Sequence, residues 1–111
     1  SSEALTHGAA YLASSAIQSV LHIHSPELWT HAKALAIPIT DPEVTYGTPA
    51  MATSVAALLR KNPLQVIAMG GHVDGILSCG ATPEFAGQNL IHHLAAAIRL
   101  APAHRREGPE R

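Results

Sequence analysis

Two histidines one residue apart, His22 and His24, stand in the segment 18–24, Gln-Ser-Val-Leu-His-Ile-His. The run has the length and residue types of a short strand. On a strand, side chains at i and i+2 point to the same face, so both imidazoles can reach one ion. A third histidine, His72, lies in Gly70-Gly71-His72-Val73-Asp74-Gly75. That is a turn in which glycine allows unusual dihedral angles and close backbone approach. Three neutral imidazoles with one open position form a catalytic zinc arrangement. The pattern predicts one divalent transition metal ion, zinc first, on His22, His24 and His72. Taken singly, each has a blander reading, as a polar residue of an edge strand or of a turn.

Glu3 falls in the first turn of a helix expected over residues 2–14, with Ser2 as N-cap and Leu5, Ala9 and Leu12 at helical spacing. A carboxylate there complements the helix dipole. It could equally serve as a general base or a fourth ligand, and spacing alone leaves these alternatives open. His7 is one turn further on, placed to pair with Glu3. His31, His92, His93 and His104 are isolated or tail histidines of no expected role. Asp74 reads as a turn aspartate, and Cys79, at the end of an apolar strand, as a buried inert thiol. The chain carries no G-x-G-x-x-G, P-loop or Ser-His-Asp signature.

The elements that must position these groups follow from their punctuation. Ser25-Pro26 and Thr48-Pro49 each place a capping hydroxyl before a proline suited to the first helical position. They predict helices to about Leu35 and from Pro49 to Lys61, the latter with Met51, Val55, Leu58 and Leu59 inward. Ile37–Thr40 is expected as a short extended piece. Leu64–Met69 and Ile76–Cys79 are expected as a hairpin around the Gly70–Gly75 turn, and Thr82-Pro83-Glu84 opens a last helix to about Leu100. The expected class is α/β, a layered α/β/α domain with a small mixed, largely antiparallel sheet.

Hydrophobic residues make up 47% of the 111 and charged residues 14%, which argues for a packed domain. A net charge of −1 gives no electrostatic case for nucleic acid. No apolar stretch approaches the roughly 20 residues of a membrane span. The single cysteine cannot form an internal disulfide, so a reducing, cytoplasmic compartment is expected. Residues 1–101 are expected to form the domain and 102–111 a disordered tail. A first residue Ser1 and so thin a sheet suggest the later part of a longer domain, or close partner subunits.

Several pieces in order resemble one family: Ser1-Ser2-Glu3 before a helix with His7, then Val20 to Pro26 around the His-x-His pair, then Tyr46-Gly47-Thr48-Pro49, then Gly71-His72 before Gly75 and a Thr-Pro-Glu helix. Together, over about residues 1–100, they resemble the class II aldolase/adducin family, which includes fuculose-phosphate aldolase. The resemblance implies that Ser1 and Ser2 contact a substrate phosphate, that Glu3 moves the proton, and that His22, His24 and His72 hold zinc. It implies a lyase-like reaction (aldol cleavage, epimerisation or dehydration) on a small hydroxy-ketone or sugar phosphate through a metal-stabilised enediolate, in a homo-oligomer, often a tetramer. The alternative is a non-catalytic adducin-like assembly or ligand-binding module. The chain departs from the aldolases in having no tyrosine between Trp29 and Thr45, and in placing Val73-Asp74 between His72 and Gly75.

Overall fold

A computed structural model describes residues 2–45 and 47–100. The side chains of Ser2 and Glu3 lie outside that description, as do Ser1, Tyr46 and residues 101–111 with the expected tail. Among the described residues, three helices start where a hydroxyl precedes a proline. Ser25 Oγ accepts the Leu28 amide at 3.2 Å and opens α2 (Pro26–Thr30). Thr48 Oγ1 accepts the Met51 amide at 3.2 Å and opens α3 (Pro49–Lys61). Each cap satisfies a backbone donor that the first helical turn leaves over. Two further helices, α1 (Ser2–Ala13) and α4 (Pro83–Leu100), and three strands, β1 (Ser19–His24), β2 (Val66–Ala68) and β3 (Gly75–Gly80), complete the order α1-β1-α2-α3-β2-β3-α4.

The strands form one antiparallel sheet of order β1-β3-β2. The expected hairpin of β2 and β3 is present. The one parallel element is an isolated bridge between Ile39 and Ala68 at the sheet margin. Alternation along the strands divides the apolar side chains between two faces. Val20, Ile67, Leu77 and Cys79 pack with Ala10 of α1 and with Met51, Val55 and Leu59 of α3. Val66, Ala68 and Ile76 pack on the other face with Leu28, Ala32, Leu90 and Ala97, from α2, the connection after it and α4. The result is a mixed α/β fold with helices on both sides of a small antiparallel sheet.

Two elements differ from their sequence signals. The Leu5–Ala9–Leu12 pattern predicts α1, yet Leu5 is 46% and Leu12 90% exposed. The helix instead buries Thr6 and Ala10, small residues that let it lie close against α3. Regular α2 stops at Thr30, short of Leu35. Hydrogen-bonded turns continue from there, and the Ala36 amide bonds the Lys33 carbonyl while the Ile37 amide bonds the Ala32 carbonyl. With Ala36 at φ 59°, this pair of bonds is a Schellman closure. Its usual apolar contact is supplied by Ala32 and Ile37, both buried in one cluster. Among the described residues, no helix is long and apolar enough to cross a membrane.

Candidate metal centre

His22 and His24 lie on the sheet face that carries Val20, at the end where β1 leaves the core. His22 is half-buried and His24 exposed. In the antiparallel register His22 pairs with Leu77 and His24 with Gly75. A side chain at Gly75 would project on the same face as His24, directly opposite it. Glycine leaves that place empty, and the His72 ring fills it: a Cβ at Gly75 would run into the His72 imidazole. The turn 69–75 holds the ring there. His72 N–H donates to the Met69 carbonyl at 3.0 Å, the Gly75 amide donates to the His72 carbonyl at 2.8 Å, and the Met69 amide donates to the Gly75 carbonyl at 2.9 Å.

The three rings therefore meet. Their centroids stand 5.3 Å (His22–His24), 5.5 Å (His22–His72) and 4.9 Å (His24–His72) apart. One nitrogen from each ring can be chosen so that all three lie within 4.8 Å of one another. Tetrahedral zinc, with Zn–N of about 2.0–2.1 Å, needs its nitrogens about 3.3 Å apart. Small side-chain rotations bridge that difference. The donor set, all imidazole, suits a borderline transition ion such as zinc rather than calcium or magnesium, which take oxygen ligands. The exposure of His24 leaves the cluster reachable from solvent, as a site with one open coordination position requires.

Several groups singled out in the sequence stand apart from this cluster. Asp74 takes the turn role expected of it, with φ 65° and its carbonyl accepting the Ser25 amide at 2.8 Å. Its carboxylate is not one of the converging ligands among the described residues. Cys79 is buried in the α1/α3 core, and burial pushes its thiol from 9.0 up to about 12, so it stays protonated and inert. His92 and His93 pack edge to face on α4, and His93 Nδ1 lies 2.8 Å from the Asn89 carbonyl. His7 Nε2 and Thr6 Oγ1, one turn beyond Glu3, are buried without a hydrogen-bond partner among the described residues. The expected phosphate contacts Ser1 and Ser2, the proton-transfer group Glu3 and its pairing with His7 all fall outside the described residues.

No family model matches the chain, and no curated protein matches it.

Side chains without a reactive group of their own, passed over in the sequence, support the turn. Trp29 Nε1 donates to the Met69 carbonyl at 2.9 Å, and Thr40 Oγ1 accepts the Gly70 amide at 2.9 Å. The glycine pair provides the only sequence signal for them. A Cβ at Gly70 or Gly71 would meet the backbone of Thr40 or Val44, so the pair marks a second strand of chain in close approach. A cleft of about 190 Å³ lies elsewhere, lined in part by Ile37, Val66, Asn89 and His93, and none of the three converging histidines borders it.

Proposed function

We propose that this chain is a metal-dependent, lyase-like enzyme of the class II aldolase/adducin type, acting on a small hydroxy-ketone or sugar phosphate. The observation that carries the reading is the convergence of His22, His24 and His72 from a strand and a glycine turn, with ligand nitrogens within 4.8 Å. The order of the motifs from Ser1-Ser2-Glu3 to Gly71-His72 supports it further.

Each part then has a task. The three imidazoles, neutral and on rigid mounts, hold one zinc ion and leave a position open on the solvent side. Bound there, the ion supplies Lewis-acid stabilisation of negative charge developing on a substrate carbonyl oxygen. Glu3 accepts and returns the substrate proton. Ser1 and Ser2 hold an anionic phosphate, with hydroxyls and the free amides that a helix start offers. The chain works as a homo-oligomer, a tetramer in the fullest form of the resemblance. Ile91 and Ile98, seven residues apart on one face of α4, are exposed apolar side chains for a second copy to cover. The segment from Trp29 to Thr45, without a tyrosine, favours a second reading, an adducin-like assembly module in which any ion is structural.

The test is elemental analysis of the purified chain, followed by turnover with a panel of ketose phosphates. About one zinc per chain is expected, lost in the His22→Ala/His24→Ala double variant, with turnover abolished in Glu3→Gln. Absence of metal after zinc is added back sinks the enzyme reading and leaves the non-catalytic module. Metal without turnover leaves the assembly module.

A further inference from the structure

We propose that Thr40 and Trp29 are positioning residues for His72, and that through them the chain between β1 and α3 sets the metal affinity of the three-histidine site. The inference rests on the reading of that site as a metal centre.

His72 is carried by its own turn, and the turn is held from outside at two consecutive residues near its start. The Met69 carbonyl takes two donors, the His72 amide at 3.0 Å and the Trp29 indole at 2.9 Å. The next amide, Gly70, is held by Thr40 Oγ1 at 2.9 Å. Thr40 is itself buried and anchored, its amide donating to the Ala68 carbonyl at 2.9 Å, while the Ala68 amide donates to the Pro38 carbonyl at 2.9 Å. Segment 38–44 thus runs beside the entry to the turn, bridged to β2 at Ile39, and Gly70 and Gly71 are the residues that admit it.

The Trp29 clamp and a further contact, from Ser25, have a common origin. Trp29 belongs to α2, which begins directly after His24 through the Ser25 cap. Ser25 also donates its amide to the Asp74 carbonyl, on the far side of the turn. The strand that carries two ligands therefore grips the turn that carries the third at both of its ends. A metal site tolerates misplacement of only about 0.5 Å in its ligands. Groups that orient a ligand typically change metal affinity by about 10–100-fold when removed. Loss of Thr40 Oγ1 also leaves the Gly70 amide without its acceptor, which loosens the turn at the residue from which His72 is reached in two steps.

The experiment compares the full chain with Thr40→Val, Thr40→Ser and Trp29→Phe. Zinc affinity is read by competition with a chelator, coordination geometry by the visible spectrum with cobalt(II), and stability of the metal-free protein by thermal unfolding. Thr40→Val and Trp29→Phe are each expected to weaken zinc binding about 10-fold or more and to shift the cobalt bands, with Thr40→Ser within about twofold of wild type. A merely structural clamp would lower the melting temperature and leave affinity and spectrum unchanged, and that result overturns the proposal. Should Thr40→Val fail to fold, Trp29→Phe decides alone, since phenylalanine keeps an aromatic ring and removes the indole donor, and the unfolding measurement separates the volume lost with it. Wild-type protein that takes up neither metal refutes the metal-centre reading itself, an outcome distinct from variants that bind as well as wild type.

Discussion

The sharpest consequence of this geometry concerns Gly75, which makes no contact with a ligand through a side chain. Carbon atoms rest about 3.5–4.0 Å apart. In Gly75→Ala the new methyl would sit 3.0 Å from His72 Cγ, closer still to Cδ2, and 3.0 Å from the His72 carbonyl oxygen. The ring must retreat by on the order of 1 Å. Metal–ligand distances hold to within about 0.2 Å and a working constellation to about 0.5 Å, so the shift takes His72 out of reach of an ion held by the other two. Zinc affinity should fall about 100-fold or more, roughly 3 kcal/mol. Stability of the metal-free chain should fall by only about 1–3 kcal/mol, the ordinary cost of overpacking. Chelator competition measures the first quantity and unfolding without metal the second. Gly80→Ala is the control. There a methyl would lie 2.6 Å from the Ala86 amide nitrogen, at the opposite end of β3, so it should destabilise and leave zinc binding alone. Zinc affinity in Gly75→Ala within threefold of wild type would refute the placement of His72.

The Cys79 thiol, raised by burial to about 12 against 9.0, contributes stability that is complete below pH 9.0 and is lost as pH climbs towards about 12. A thiol reagent at pH 8 should label it only in unfolded protein, and rapid labelling of folded protein would contradict its burial. Ala36→Gly should stabilise the chain by about 0.5–1 kcal/mol in denaturant unfolding. The left-handed φ of 59° costs alanine about 1–2 kcal/mol, and the greater freedom of unfolded glycine takes back about 0.4–1. An Ile91→Glu/Ile98→Glu variant should sediment as a smaller species than wild type, because both side chains are exposed on one face of α4; a monomeric wild type would remove the reason for that face.

What could be read from the sequence was whatever depends on neighbours along the chain. Ser25-Pro26 and Thr48-Pro49 carry their helix starts in two residues, because a cap and a fixed φ act locally. The strand positions of His22 and His24 follow from a period of two, which needs no tertiary information. The inward face of α1 was misleading for the opposite reason. Leu5 and Leu12 have the apolar character of a buried stripe, but the residues α1 buries are Thr6 and Ala10, the latter among the α3 side chains, and nothing local announces how closely a helix will approach its neighbour. The early end of regular α2 at Thr30 has no glycine or proline to declare it, while the Schellman closure of the turns that follow, at Ala36, lies one residue past the expected Leu35. Trp29 and Thr40 were invisible because their partners, Met69 and Gly70, are 40 and 30 residues away and offer only backbone atoms.

The site therefore depends on register more than on the identity of its ligands. His24 faces Gly75 only while Ser19 is paired with Gly80. Sliding β1 by one residue would turn His22 and His24 to the α2/α4 face and bring Leu21 and Ile23 round in front of the His72 ring. Bonds at both ends prevent this: Gln18 donates to the Gly80 carbonyl at 3.1 Å before the strand begins, and Ser25 donates to the Asp74 carbonyl at 2.8 Å after it ends. Between them the apolar pattern adds its own preference, with Val20 in one core and Leu21 and Ile23 against the other. The His-x-His pair is polar on a face whose other members are buried, and it falls where β1 passes beyond that core. Burial selects the register, and the register delivers two imidazoles to the one position on that face of β3 whose residue has no side chain.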